Sequence, residues 1–300
     1  TFVSCRSCGQ AVKCPHCDVS LTFHKSRSGG RLVCHYCGYS MDMPRKCPSC
    51  GSPYIAGFGT GTQKLEELTK EAFPEARVLR MDMDTTSRKG GHEEILQAFA
   101  RKEADILIGT QMIVKGHDFP DVTLVGVIAA DLSLYMPDYR AGERTFQLLT
   151  QAAGRAGRGA EAGHVVIQTY QPEHYAVTTA AAQDYEAFYR QEEVYRRLLH
   201  YPPFSRILVV WMADRDENIL DAAMSADRKA AAEAAEAAGV VLDIVGPVPA
   251  PVYKHNDIYR KILYIKHENY DILIQVRNYL DECRKKHDFG SGLQVQYDIL

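Results

Sequence analysis

Four Cys-x-x-Cys pairs lie within the first fifty residues of this 300-residue chain, and they constrain its fold more than any other feature. Two residues between the cysteines let both sulfurs reach one metal ion from a tight turn. Three of the pairs are followed directly by glycine, which suits such a turn. The eight cysteines divide evenly into two four-cysteine zinc sites, so we expect two Zn²⁺ ions as cofactors. The pairs are Cys5/Cys8, Cys14/Cys17, Cys34/Cys37 and Cys47/Cys50.

The spacing of the pairs favours a nested arrangement of the two sites. Sixteen residues separate Cys17 from Cys34, which is within the usual range of a zinc ribbon, so the two inner pairs share one metal. The outer pairs then form the other site, and a cross-braced pairing of first with third and second with fourth is the rival. Disulfides are a further alternative, but a large accompanying domain and no signal peptide indicate a reducing cytosol. The nested ligands are Cys5, Cys8, Cys47 and Cys50 (site 1) and Cys14, Cys17, Cys34 and Cys37 (site 2).

The composition is that of a protein with packed cores, without a membrane-spanning segment and without a strongly positive net charge. The apolar content of 46% is enough for packed cores, and no apolar run approaches the eighteen residues of a membrane span. The net charge of −3 gives no global positive field, so any contact with nucleic acid has to come from local patches. The chain begins at Thr1 without an initiator methionine, and we expect it to be part of a longer protein.

Three domains are predicted, in an α/β fold class. Residues 1–52 form the two-zinc module, with residues 1–4 open to either of the first two domains. From 53 to 199, buried apolar strands alternate with amphipathic helices, which is typical of a parallel sheet covered on both faces. The sequence Tyr-Pro-Pro-Phe at 201–204 marks a boundary. Residues 200–300 then show the order β-α-β-β-α-β, which predicts a ferredoxin-like α+β domain.

Three segments carry groups suited to phosphate chemistry. In 151–158, two arginines three residues apart are predicted on one helix face, where they can hold a polyphosphate; a packing helix is the alternative. Segment 109–118 starts where an apolar strand ends, the edge at which α/β sheets bind ligands, although it also suits an ordinary loop. Segment 57–62 joins a strand to a helix, and serves either as a phosphate contact or as a turn with Thr62 as N-cap.

Together these segments resemble the second RecA-like lobe of a superfamily 2 helicase. With the cysteine module before them, the whole chain is similar to the primosomal replication-restart DNA helicases. The most specific parts of the resemblance are the eight cysteines and the segments 105–118, 131–134 with 137–140, 145–158 and 201–204.

The resemblance implies an ATP site shared with a second lobe. Gln151, Arg155 and Arg158 would face ATP and Mg²⁺ held mainly by the other lobe, with Arg158 as the arginine finger. Gly116 and Asp118 would couple the nucleotide state to the grip on DNA. The chain has neither a Walker A nor a Walker B sequence, so we expect it to be inactive alone and an ATPase only within the full-length protein.

Contacts with DNA are also implied. Three threonines would hold the translocating strand, and a strand of alternating aromatic and basic residues would stack on bases; a solvated edge strand is the alternative for the latter. The threonines are Thr60, Thr62 and Thr110. The aromatic and basic residues of the strand are Tyr259, Arg260 and Lys261.

The implied function is an ATP-dependent 3′-to-5′ DNA helicase in replication restart and primosome assembly at forked DNA. The implied partners are forked and single-stranded DNA, single-strand-binding protein and other primosome and helicase-loading proteins, with no membrane. The implied location is cytoplasmic, at the bacterial nucleoid or replication fork. The alternative is a non-catalytic zinc-ribbon scaffold that binds DNA and recruits primosome proteins. Intact Arg155 and Arg158 argue against that alternative, because a degenerate lobe does not need them.

Overall fold

The chain folds into two compact units in the computed structural model. One comprises Thr1–Gly59 and Tyr195–Leu300, the other Thr60–Val194. The structure describes residues 2–26, 29–58, 61–83, 85–86, 90–114, 119–159, 161–287 and 289–300. No helix in these ranges is long and apolar enough to cross a membrane. The cysteine module and the carboxy-terminal domain therefore share a unit, whereas the sequence division at 52 and 199 treats them as separate.

The cysteine module is built on a five-stranded antiparallel sheet. Its strands are β1 (Phe2–Cys5), β2 (Thr22–Ser26), β3 (Gly29–Val33), β4 (Ser40–Asp42) and β5 (Ile55–Phe58), in the order β4-β3-β2-β1-β5. Val3, Val12, Leu21 and Leu32 form a small buried core beside the cysteines.

Strand β5 corrects one expectation. We assigned it to the parallel sheet of the second domain, but it pairs antiparallel with β1, from Phe2 opposite Phe58 to Cys5 opposite Ile55. A four-residue apolar run predicts a strand but does not identify the partner strand, since that choice depends on residues fifty positions away.

The second unit contains two parallel strand pairs and the helices that cover them, as expected for a RecA-like lobe. Strand β6 pairs with β7, and β8 pairs with β9. The helices pack through a buried cluster in which the rings of Phe146 and Phe188 stack at 4.2 Å. In chain order the elements are α1 (Thr62–Ala72), β6 (Val78–Met81), α2 (Gly91–Ala100), β7 (Ile106–Gly109), a 3₁₀ turn (Gln111–Val114), β8 (Leu124–Val127), α3 (Asp131–Leu134), α4 (Ala141–Ala153), β9 (His164–Ile167), α5 (Tyr175–Ala181) and α6 (Tyr185–Leu198).

The sequence over 176–199 predicts one long helical stretch, but the structure has two helices there. Gln183 has a φ of +53°, which a helix interior does not allow, and it separates α5 from α6. Asp184 then accepts a hydrogen bond from the N–H of Ala187 at 2.8 Å, as an N-cap residue does. Helical periodicity continues through the break, and for that reason the sequence pattern did not reveal it.

The carboxy-terminal domain has the predicted ferredoxin-like topology. Its sheet has the order β11-β12-β10-β13 with antiparallel neighbours, and α7 and α8 pack on a core that includes Leu208, Met224 and Leu263. The elements are β10 (Arg206–Asp214), α7 (Glu217–Ala238), β11 (Asp243–His255), β12 (Ile258–His267), α8 (Tyr270–Lys285) and β13 (Gln294–Ile299).

The sequence pattern predicts a strand over 240–245, but β11 is longer and runs from Asp243 to His255. It contains three prolines, which interrupt strand periodicity but are tolerated because β11 is an edge strand. It joins β12 through the two residues Asn256 and Asp257, whose φ values are +52° and +61°. Two consecutive positive φ values define a type I′ turn, which suits a tight hairpin.

Candidate functional site

The eight cysteines of the amino-terminal module gather into two groups of four. Cys5, Cys8, Cys47 and Cys50 form site 1, and Cys14, Cys17, Cys34 and Cys37 form site 2. Within each group all four Sγ atoms lie within 4.8 Å of one another. The structure thus brings the cysteines together in the nested arrangement and not in the cross-braced one.

The sulfur geometry fits zinc. The Sγ–Sγ distances are 3.6 Å for Cys5–Cys50, 3.7 Å for Cys8–Cys47 and 3.6 Å for Cys14–Cys37. Four sulfurs at the zinc–sulfur bond length of about 2.3 Å in a tetrahedron lie about 3.8 Å apart. A disulfide needs about 2.05 Å, so the observed spacing excludes that alternative for these pairs.

Backbone N–H groups lower the pKa of two of the four thiols of site 1. The N–H groups of Cys8 and Ser7 are directed at the sulfur of Cys5 and lower the pKa of that thiol to about 6. The N–H of Cys50 likewise lowers the pKa of Cys47. A lower pKa favours the thiolate, the form that binds zinc.

The two motif arginines lie on a turn beyond a helix and not on a helix face as expected. Helix α4 ends at Ala153, and the N–H of Arg155 donates to the carbonyl of Ala152 at 3.1 Å in a tightened turn. Arg158 is exposed, and its Nε donates to the carbonyl of Gly154 at 2.6 Å. Gln151 is exposed on the last turn of α4. Glycines in the motif end the helix early, a local effect that arginine spacing alone does not show.

Close backbone packing holds this arginine turn in place. Gly157 has a φ of +72°, and its N–H donates to the carbonyl of Val122 at 2.9 Å. A Cβ atom on Gly157 would be 2.5 Å from the nitrogen of Gly163, and one on Gly163 would be 2.2 Å from the nitrogen of Gly157. Neither position admits a side chain, so the turn that carries Arg155 and Arg158 has a fixed backbone path.

The expected DNA-contacting threonines have different surroundings. Thr110 is exposed directly after β7. Thr62 opens α1 but does not cap it, because its hydroxyl donates to Oδ2 of Asp82 at 2.5 Å and Gly61 is the N-cap residue. Thr60, Gly116 and Asp118 lie outside the described residues.

The aromatic and basic residues of β12 contact their own domain. Arg260 bonds Nδ1 of His255, Lys261 pairs with Asp221, and the ring of Tyr259 lies 5.6 Å from that of Tyr253. Strand β12 is an inner strand of the sheet and not an edge strand. These side chains would have to exchange intramolecular partners in order to meet DNA.

Comparisons with known proteins match three parts of the chain. Residues 14–41 match the PriA DNA helicase Cys-rich region domain, residues 55–160 the helicase conserved C-terminal domain, and residues 197–300 the primosomal protein N C-terminal domain. The replication restart protein PriA of Bacillus subtilis is 47% identical over 292 residues, which is 96% of this chain. The chain belongs to the PriA family. The PriA proteins of Synechocystis and Haemophilus influenzae are 43% and 39% identical over 90% and 88% of the chain.

The match covers a limited part of those PriA proteins. The chain spans 36% of the Bacillus protein, 32% of the Synechocystis protein and 35% of the Haemophilus protein. The chain thus corresponds to about a third of the length of these relatives.

Two buried aspartates were not among the predicted site residues, although Asp131 lies in one of the segments that carry the resemblance. Asp82 accepts hydrogen bonds from Thr62 and from the N–H of Thr85, and Asp131 accepts from the hydroxyl of Thr169 at 2.7 Å and the N–H of Tyr170 at 3.1 Å. Each follows an apolar strand in the sequence, which is the local signal that could have pointed to them. Asp131 is therefore engaged in local structure.

Proposed function

We propose that this chain is the second motor lobe, zinc module and carboxy-terminal domain of an ATP-dependent 3′-to-5′ DNA helicase that restarts replication. The relatives it matches are named replication restart proteins. ATP and Mg²⁺ would be held mainly by a first lobe, because the chain itself has no Walker A or Walker B sequence. Its own contribution is to sense the γ-phosphate and to grip DNA.

The observation that carries this proposal is the arginine turn after α4. Arg155 and Arg158 both lie on a short segment whose backbone path is fixed by Gly157 and Gly163. Catalysis of phosphoryl transfer consists mostly of positioning and of neutralising charge, so a rigid support for Arg155 and Arg158 is what the chemistry needs.

The grip on DNA is proposed at the end of β7 and at the start of α1. Thr110 is exposed, and Gly61 leaves the first N–H groups of α1 without a side-chain cap among the described residues. Helix N-termini bind phosphate well. We place Thr60 and Thr62 in the same role, and we assign Gly116 and Asp118 to coupling the nucleotide state to the grip on DNA. The carboxy-terminal domain, with Tyr259, Arg260 and Lys261, would meet single-stranded DNA, single-strand-binding protein and other primosome proteins.

The test is DNA-stimulated ATP hydrolysis by the full-length protein with Arg158→Ala. Loss of an arginine finger typically lowers the rate by about 10³–10⁵, so turnover should fall by that order while binding to forked DNA is retained. The matched control is Arg144→Ala, which removes an arginine on α4 that pairs with Asp138 at 2.8 Å. The control should hydrolyse ATP at the wild-type rate.

Equal hydrolysis by the wild type and the Arg158→Ala variant would overturn the motor assignment. The alternative, a zinc-ribbon scaffold that recruits primosome proteins, would then account for the chain. The 300-residue chain by itself should show no DNA-stimulated hydrolysis, and appreciable turnover by it would contradict the proposed division of the ATP site between two lobes.

A further inference from the structure

One of the four cysteine knuckles is built differently from the other three. In the three knuckles that are followed by glycine, that glycine has a positive φ and its N–H donates to the carbonyl of the first cysteine at 2.9–3.0 Å. These glycines are Gly9, Gly38 and Gly51. In the knuckle of Cys14 and Cys17 the equivalent residue is Asp18, and its N–H donates to the carbonyl of Lys254 at 2.8 Å. This knuckle is closed by a segment of the carboxy-terminal domain.

The β11–β12 turn supplies the remaining backbone contacts. The N–H of Asn256 donates to the sulfur of Cys17 at 3.3 Å, and the N–H of Asp257 donates to the carbonyl of His16 at 2.9 Å. Both turn residues have positive φ, so their N–H groups point away from the hairpin and towards the knuckle. Three backbone hydrogen bonds therefore join the hairpin to this knuckle, and one of them is accepted by a metal-binding sulfur, that of Cys17.

Side chains reinforce the same contact. Oδ2 of Asp257 lies 2.7 Å from Nδ1 of His16, and the ammonium of Lys254 donates to the carbonyl of Pro15 at 3.4 Å. The ring of His255 meets the ring of Tyr36 edge-on at 5.8 Å, which brings in the knuckle of Cys34 and Cys37. The hairpin tip therefore touches both knuckles of site 2.

We propose that the β11–β12 hairpin tip, residues 254–257, is an outer-shell part of zinc site 2, so that metal retention at this site and docking of the carboxy-terminal domain are coupled. Groups that hydrogen-bond metal ligands orient them and stabilise the ligating form, and their loss typically weakens metal binding by about 10–100-fold. Coupling is reciprocal by thermodynamic necessity, so a metal held at site 2 must hold the hairpin in place to the same extent. Both knuckles of site 1 are closed by their own glycines, so we expect metal retention at site 1 not to depend on the hairpin.

The first test removes metal from variants of the 300-residue chain loaded with cadmium. Cadmium NMR gives a separate resonance for each site, and the loss of each is followed after addition of EDTA. In Asp257→Ala the site 2 resonance should disappear about 10-fold faster than in the wild type, while the site 1 rate is unchanged. Glu268→Ala, an exposed position at the opposite end of β12, is the matched control and should change neither rate.

A stronger variant retracts the tip without changing the turn. Deleting Lys254, His255, Ile258 and Tyr259 removes two paired positions from each strand and shortens the hairpin by about 7 Å, while the remaining side chains keep their faces. The site 2 metal should leave faster than in Asp257→Ala. Unchanged site 2 rates in both variants, or equal acceleration at both sites, would overturn the proposal.

The reciprocal test measures amide hydrogen exchange over residues 253–259. Cys37→Ser, which disables site 2, should raise exchange in this segment, and Cys50→Ser, which disables site 1, should leave it at the wild-type level. Both cysteines lie at the less buried edge of their sites. Exchange that responds equally to the two variants would show that the hairpin follows the fold of the whole module and not the metal at site 2.

Discussion

At the scale of single residues, Asp82 shows how a buried carboxylate joins two elements. It follows β6 and is 7% exposed. It accepts hydrogen bonds from the hydroxyl of Thr62 at 2.5 Å and the N–H of Thr85 at 3.0 Å, and pairs with Arg80 at 2.7 Å. Burial raises the pKa of this carboxyl, but these partners outweigh burial, and the pKa lies below its ordinary value of 3.8. Asp82 thereby fixes the start of α1, where we place a contact with DNA.

We expect Asp82→Asn to lower the free energy of unfolding by about 1–3 kcal/mol at neutral pH, since the amide cannot accept all of these donors. A carboxyl whose pKa is lowered in the folded state stabilises the fold above its unfolded pKa and loses that contribution as the pH falls. The difference between wild type and variant should therefore be constant above about pH 5 and shrink below pH 3.8, in urea unfolding followed by circular dichroism.

Asp121→Asn is the control for this measurement. Asp121 pairs with Lys102 at 3.0 Å, but it is 67% exposed, and such surface pairs contribute about 0–1 kcal/mol. A pH-independent difference between Asp82→Asn and the wild type would contradict the assignment of the stabilisation to the charged form.

At the scale of elements, the sequence predicted those whose signal is local. Spacing predicted the nested cysteine pairing, because sixteen residues suffice for a hairpin such as β2–β3 between Cys17 and Cys34. Caps fixed the bounds of α7 at both ends, since Asp216 accepts from the N–H of Asn218 and Gly239 has a φ of +64°. Both signals lie within a few residues of the feature that they determine.

Features that depend on distant partners were not predictable in the same way. Strand β5 was found, but its pairing with β1 was not, and Arg155 and Arg158 were placed on a helix that ends before them. The contact of Asn256 with Cys17 joins residues 239 positions apart, and no local pattern encodes it. In each case packing between segments decided the outcome.

Helices α7 and α8 are joined by a buried ion pair that gives an element-scale prediction. Arg284 on α8 donates to Asp227 on α7 at 2.5 Å and to the hydroxyl of Tyr297 on β13 at 2.8 Å, and the side chain of Asp227 is 2% exposed. Arg284→Met should lower the free energy of unfolding by about 3–5 kcal/mol, because it leaves the carboxylate buried without its cation. Chemical unfolding of the 300-residue chain measures this.

The double variant Asp227→Leu with Arg284→Met separates charge from packing. It should recover most of the loss, since a buried pair replaced by apolar side chains is often neutral. Lys285→Met, at an exposed position on the same helix, should change stability by less than about 0.5 kcal/mol. A double variant as unstable as Arg284→Met would show that the cost comes from shape and not from an unpaired charge.

At the scale of the whole molecule, the chain contains cores of two physical kinds. The ferredoxin-like domain buries a continuous apolar cluster between its sheet and two helices. The cysteine module has a much smaller apolar cluster, in which cysteines take the place of larger side chains. Small modules of this kind derive their folding free energy from the metal, and structural zinc contributes about 10–16 kcal/mol in zinc-finger peptides.

Removal of zinc should therefore unfold one part of the chain and spare another. After treatment with EDTA under reducing conditions, amides of β1 to β5 should exchange with solvent at nearly the unfolded rate, while those of β10 and α7 keep their protection. Re-addition of zinc should restore the protection of β1 to β5, which distinguishes metal loss from damage. If β1 to β5 stay protected without metal, Val3, Leu21 and Leu32 suffice to hold the sheet, and the metal then acts only on the knuckles.

Within the carboxy-terminal domain, we expect zinc removal to raise amide exchange only at residues 254–257. These residues contact the knuckles of site 2, and they lose that contact when site 2 loses its metal.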